Sequence, residues 1–218
     1  MPVRQLSFWK MKDRARRFGE SGAHDLVRSL QLAGKTVRFH PMGHSFGCIV
    51  VTAAVVGPDA RKPLPRPVES LLLVQGALSL WSACPDVPFD RGTSGYFSRL
   101  LSDRLVNGPV VTTRSAHDTA VRRFYPLGAQ LKKQYLLDPP RYPQYGGVGC
   151  HGLQGLAPAA QDLPIRGPAH PYGFQKDVVY NLDATRVIAN GSGPSGAHSD
   201  IAHLEVAHVQ WQAALALR

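Results

Sequence analysis

Val37-Arg38-Phe39-His40-Pro41-Met42-Gly43-His44-Ser45-Phe46-Gly47 is the segment on which the reading of this chain turns. Behind it, residues 46–56 are almost wholly apolar and close on Gly57-Pro58, the punctuation of a helix carboxyl end. Ahead of it, residues 36–40 alternate between Gly34 and Gly43, which predicts a short strand. The junction, Gly43-x-Ser45-x-Gly47, therefore sits on a strand-to-helix turn. Such a turn strains the serine backbone, and side chains two residues to either side would collide; glycine at both places relieves that. The hydroxyl then stands at the carboxyl edge of a sheet, over a helix amino end whose dipole favours negative charge. Composition alone yields such a pentapeptide in about one chain in eight of this length, so the flanking strand and helix carry the weight. A serine before a helix is more often a plain N-cap; the two glycines favour a nucleophile.

Ahead of that segment, residues 7–31 carry Phe8, Met11, Ala15, Phe18, His24, Leu26, Val27 and Leu30 at helical spacing. They read as a helix; Gly19, Ser21 and Gly22 interrupt it, which leaves two helices joined by a turn as the alternative, with Ala33-Gly34-Lys35 as the stop. Residues 58–67 hold four prolines and read as a loop. Leu71-Leu72-Leu73-Val74 has the unbroken apolar character of a strand buried on both faces. Residues 102–105 close a helix ahead of the β-rich Pro109-Val110-Val111-Thr112-Thr113. Residues 178–182 and 185–188 predict a last strand or a hairpin. Residues 202–217 predict an amphipathic helix bearing Leu204, Val206, Val209, Trp211 and Leu215. This alternation predicts an α/β fold, a mostly parallel sheet flanked by helices, with residues 1–218 as one domain. Residues 138–175 stand apart, because seven prolines from Pro139 to Pro171 and many glycines predict an irregular, cap-like insertion.

Composition sets the outer bounds. With 44% hydrophobic and 18% charged residues, 218 residues can bury a core, which excludes global disorder. No apolar run reaches the ~18 residues of a membrane span. No signal-like segment opens the chain, so a cytoplasmic location is expected. Cys48, Cys84 and Cys150 are too few for a disulfide-stapled scaffold, and Cys48 reads as a small core residue. No histidine and cysteine set has zinc-ligand spacing, so neither metal nor cofactor is expected. The net charge is +10. Its densest groups are Lys10, Lys12, Arg14, Arg16 and Arg17, then Arg122, Arg123, Lys132 and Lys133. Neither group has the interleaved aromatics of a nucleic-acid motif, so a solvated basic face is expected and no nucleic-acid partner.

The stretch from Val37 through Gly47, with its following helix, resembles the strand–elbow–helix of the α/β-hydrolase fold family, particularly its esterase- and lipase-like members. That family runs Ser, then Asp or Glu, then His in chain order. The resemblance carries onto Asp118, in Arg114-Ser115-Ala116-His117-Asp118 behind a strand. It carries also onto His198, in Gly196-Ala197-His198-Ser199-Asp200 ahead of the last helix. It implies a serine hydrolase of carboxylic esters or related small acyl substrates. Ser45 would be the nucleophile, His198 the general base and acid, Asp118 its orienting acid and the Phe46 N–H an oxyanion donor, with Gly43 and Gly47 as elbow glycines.

Asp103, Asp138 and Asp183 compete for the acid and His203 and His208 for the base, while Asp118 reads also as a helix cap. His44 is expected beside the elbow and His117 in a structural role; Phe8, Trp9, Trp81 and Tyr96 are candidates for an apolar pocket, with core packing as the alternative. The family places strands and a glycine-rich oxyanion loop before the elbow. Here 42 largely helical residues precede Gly43, so an N-terminally incomplete version of that fold is expected. Pro41, in what should be a central strand, is a second departure. The alternative function is a catalytically impaired hydrolase-like domain that serves as a binding module.

Overall fold

The computed structural model of the protein describes residues 2–123 and 143–217, with side chains from Lys10 on. Lys132, Lys133, Asp138, Pro139 and Pro140 lie outside the described residues, as do the side chains of Phe8 and Trp9. Five strands form one sheet: β1 (Met42–His44), β2 (Leu71–Val74), β3 (Val110–Arg114), β4 (Gln161–Pro164) and β5 (Val179–Asp183). Their order is β1-β2-β3-β5-β4, and every neighbouring pair is parallel. The helices are α1 (Pro2–Phe18), α2 (His24–Ala33), α3 (Phe46–Val56), α4 (Arg99–Ser102), α5 (Val148–His151) and α6 (Leu204–Leu215). The fold is α/β, as the alternation of elements predicts.

Leu71-Leu72-Leu73-Val74 is buried throughout because β2 is covered on both faces. Leu71 and Leu73 join Ile49 and Ala53 of α3 in one core, while Leu72 and Val74 join Val206 and Val209 of α6 in the other. Period-2 alternation along a strand thus feeds two separate helix layers. The register sets His44 beside Val74, Val74 beside Thr113 and Thr113 beside Leu182, so the strands end level and their following loops share one edge.

Several elements depart from the sequence reading. The first strand lies at Met42–His44, not at residues 36–40. Phe39 is instead clasped by Glu69, whose N–H donates to the Phe39 carbonyl (2.8 Å) while its carboxylate accepts from the Phe39 N–H (2.5 Å). β1 is an edge strand of the described sheet, and Pro41 precedes it, contributing only its carbonyl to Leu72 N (3.0 Å). Pro41 stands ahead of the paired residues Met42–His44, so its missing N–H takes no bond from the β1–β2 ladder.

No turn separates α1 from α2. The chain runs through a π-helical turn, Gly19–Ala23. Gly19 marks a close helix crossing, because a Cβ there would meet the Ala53 Cβ at 2.5 Å and the Val50 carbonyl at 2.7 Å. Residues 185–187 form a turn after β5, so no hairpin closes the sheet. β4 falls inside the proline-rich 138–175 stretch; its residues are largely exposed, which is why no apolar signal marks it. On α6 the core face is Val206, Val209 and Ala213, whereas Leu204 and Trp211 face outward. Among the described residues no helix is long and apolar enough to cross a membrane.

Candidate active site

β1 delivers Ser45 to the level carboxyl edge of the sheet. Its backbone sits at φ 57°, ψ −123°, a region that non-glycine residues occupy at a cost of about 1–3 kcal/mol. Neighbours hold it there: Ser45 N donates to the Val74 carbonyl (3.2 Å), and the Ser45 carbonyl accepts from Cys48 N and Ala77 N, both at 3.1 Å. Flanking glycine is sterically required on one side of Ser45 only. A Cβ at Gly43 would lie 2.5 Å from the Gly47 carbonyl oxygen and 2.7 Å from Cys48 N, so the bend closes only without it. A Cβ at Gly47 meets nothing within 4 Å. The second glycine of the motif is therefore not required by packing, because α3 turns its first residues away from the strand.

The structure brings Ser45, His198 and Asp118 into one hydrogen-bonded line. His198 Nε2 lies 2.8 Å from Ser45 Oγ, and His198 Nδ1 lies 2.9 Å from Asp118 Oδ2. The carboxylate can only accept, so Nδ1 carries the proton and Nε2 is left to accept from the serine hydroxyl. Asp118 is fully buried. Its Oδ1 accepts from Val121 N (2.9 Å) at the start of the helical residues 119–123, so it caps that helix with one oxygen and meets His198 with the other.

Backbone contacts tie the acid and histidine loops together, with Ala197 N on the His117 carbonyl (2.9 Å) and Ala120 N on the Ser195 carbonyl (3.2 Å). The competing residues lie elsewhere. Asp103 pairs with Arg99, Asp183 with Arg114 and His203 with Asp200, while His208 meets the His170 carbonyl. Phe46 follows the serine as the first residue of α3, whose amino end faces the site.

His44 does more than pack. Its Nε2–H donates to the His198 carbonyl (2.9 Å), and the two rings are 4.9 Å apart. Burial pushes the His44 imidazole below its ordinary value and the neighbouring His198 adds to this, against the opposing pull of that hydrogen bond. Gln75, which sequence reading passed over, donates from Nε2 to Asp118 Oδ2 (3.0 Å). A polar residue directly behind the apolar run Leu71–Val74 is the signal that marks it. Cys48, on the buried side of α3, donates to the Gly43 carbonyl (3.1 Å), and burial pushes its thiol well up.

A cavity of about 340 Å³ is lined by Lys12, Arg16, Ile49, Leu78, Trp81, Tyr96 and Phe97, and not by Ser45, Phe46 or His198. Ile49 stands one helical turn after Ser45, and Leu78 follows Ala77, which bonds the serine carbonyl. Burial lowers the Lys12 ammonium there to about 8. A larger cavity, about 580 Å³, opens at the amino ends of β3 and β5, the edge opposite Ser45. Among the described residues no three His, Cys, Asp or Glu side chains gather as a metal site. In the basic N-terminal group, Arg16 pairs with Asp13 and Glu20, and Arg17 pairs with Asp13.

A parallel α/β sheet with a strained serine at its carboxyl edge is the class of protein that the fold and this geometry define. No protein-family model, no curated protein and no solved structure matches the chain.

Proposed function

We propose that the protein is a serine hydrolase of carboxylic esters or related small acyl substrates, built on the α/β-hydrolase plan. The observation that carries this reading is the continuous Asp118–His198–Ser45 line ending on a serine held at positive φ. Ser45 Oγ attacks the acyl carbonyl carbon while His198 Nε2 takes the hydroxyl proton. The imidazolium then returns that proton to the departing alcohol, leaving an acyl-serine that water clears by the same route in reverse. Asp118 fixes the tautomer and stabilises the imidazolium. The Phe46 N–H, at the amino end of α3, supplies an oxyanion donor.

A fluorophosphonate probe tests this, together with turnover of a short p-nitrophenyl ester by the full chain. Wild type is expected to label and turn over, and Ser45→Ala to do neither. Asp118→Asn is expected to lose on the order of 10³–10⁴ in kcat. Equal labelling of wild type and Ser45→Ala would end the proposal. A folded protein that neither labels nor turns over ester would favour the binding-module alternative.

A further inference from the structure

Two neighbouring strands of this sheet end on a non-glycine residue with positive φ: Ser45 behind β1 and Gln75 (φ 46°) behind β2. Strain of this kind persists only where surrounding contacts over-determine it, and at Gln75 they do. Its N–H donates to Thr113 Oγ1 (3.1 Å), and the Thr113 hydroxyl donates back to Gln75 Oε1 (3.1 Å). Its Nε2 donates both to Asp118 Oδ2 (3.0 Å) and to the Gly149 carbonyl (3.2 Å). Carboxylate and carbonyl can only accept, so the amide orientation is dictated by its partners. Gln75 and Thr113 are both fully buried. Gly149 completes the cradle, because a Cβ there would come within 2.9 Å of Asp118 Oδ2.

We propose that Gln75 is a positioning residue for the Asp118–His198 pair. It shares Oδ2 with the His198 Nδ1–H and holds the carboxylate plane turned toward the imidazole. As a role in catalysis this rests on the hydrolase reading; as a constraint on the pair it does not. The physical consequence follows from the shared oxygen. A neutral N–H donor draws off part of the carboxylate charge, so removing it leaves Oδ2 more negative and the His198 imidazolium more stable. The groups facing the pair are His44 from β1 and Cys150 from α5, with Arg122 of the helical residues 119–123 acting on Cys150. Cys150 donates to the Asp118 carbonyl (3.3 Å); burial and the nearby carboxylate push its thiol up to about 12, so it stays neutral through the range of the test. His44 is pushed the other way and is followed by its own resonance.

The test is a proton–nitrogen NMR titration of the full chain between about pH 5 and 9, alongside the pH dependence of fluorophosphonate labelling. In wild type, a Gln75 Nε2–H signal is expected to move with the same midpoint as the His198 ring. In Gln75→Met, the His198 midpoint is expected to rise by about half a pH unit or more. The labelling rate at neutral pH is expected to fall about tenfold, with its acid limb displaced in step. A merely structural role would lower the rate and leave both midpoints where they were, and that result overturns the proposal. Should the variant not fold, the wild-type titration decides alone: a Gln75 amide that ignores the His198 transition overturns it as well. If wild type itself never labels, the hydrolase reading falls while the NMR midpoints still report on Gln75.

Discussion

Ser45 and its two flanking glycines show how a motif divides into parts with different physical standing. The positive φ of the serine is imposed by the bend, and Gly43 makes the bend possible by leaving room for the backbone of Gly47 and Cys48. Replacing Gly43 by Ala drives a methyl into backbone atoms that cannot give without reopening the turn. Overpacking of this sort costs about 1–3 kcal/mol, and Gly43→Ala is expected to lower the urea midpoint at unchanged slope. Gly47 has open space where its Cβ would stand. Gly47→Ala is therefore expected to leave stability unchanged or raise it by up to about 1 kcal/mol, through the better helix propensity of alanine. Denaturation of the two variants side by side checks this, and equal loss in both would contradict the asymmetry.

At the scale of elements, the level ends of β1, β2 and β3 explain why three loops meet at one place. Ser45 follows β1, Gln75 follows β2, and Asp118 lies four residues beyond the end of β3 at Arg114. The strand behind Ser45 depends in turn on α3, and α3 is seated by α1 across Gly19. Gly19→Val would push a branched side chain into Val50 and Ala53, forcing the helices apart. A loss of about 2–3 kcal/mol is expected, with a corresponding fall in melting temperature and no change in which residues form the site. A melt superimposable on wild type would show that the crossing yields more easily than its geometry indicates.

Over the whole molecule, three histidines share one bias. Burial lowers the imidazoles of His40, His44 and His151 below their ordinary value, with the flanking charges of Arg38, His198, Arg122 and Arg114 adding to it. Between those lowered values and about 6.5 the unfolded chain binds more protons than the folded one. Their contribution is thus complete above about pH 6.5 and falls away as the pH drops toward the folded values. Urea midpoints are expected to decline from about pH 6.5 toward 5. His44→Gln, which keeps a donor for the His198 carbonyl but cannot charge, is expected to make that decline shallower. A wild-type midpoint that rises on acidification would reverse the sign and refute the account.

The α/β class, α3 and the strands β2 and β3 are legible along the chain, because unbroken or alternating apolar runs of those lengths can be buried in few ways. The chain order of Ser45, Asp118 and His198 was also legible, through the resemblance that the elbow carries. Other features needed the tertiary structure. The short β1 displaced toward the elbow, the exposed strand β4 inside a proline-rich stretch and the outward face of Trp211 leave no distinguishing pattern along the chain. Gln75 behind Asp118, the unneeded Gly47 and the dual duty of Asp118 as cap and histidine partner belong to the same group. Each is a matter of which groups lie within about 3 Å across the fold. Burial, close approach and hydrogen-bond partnership are set between residues far apart in sequence, and local periodicity carries no record of them.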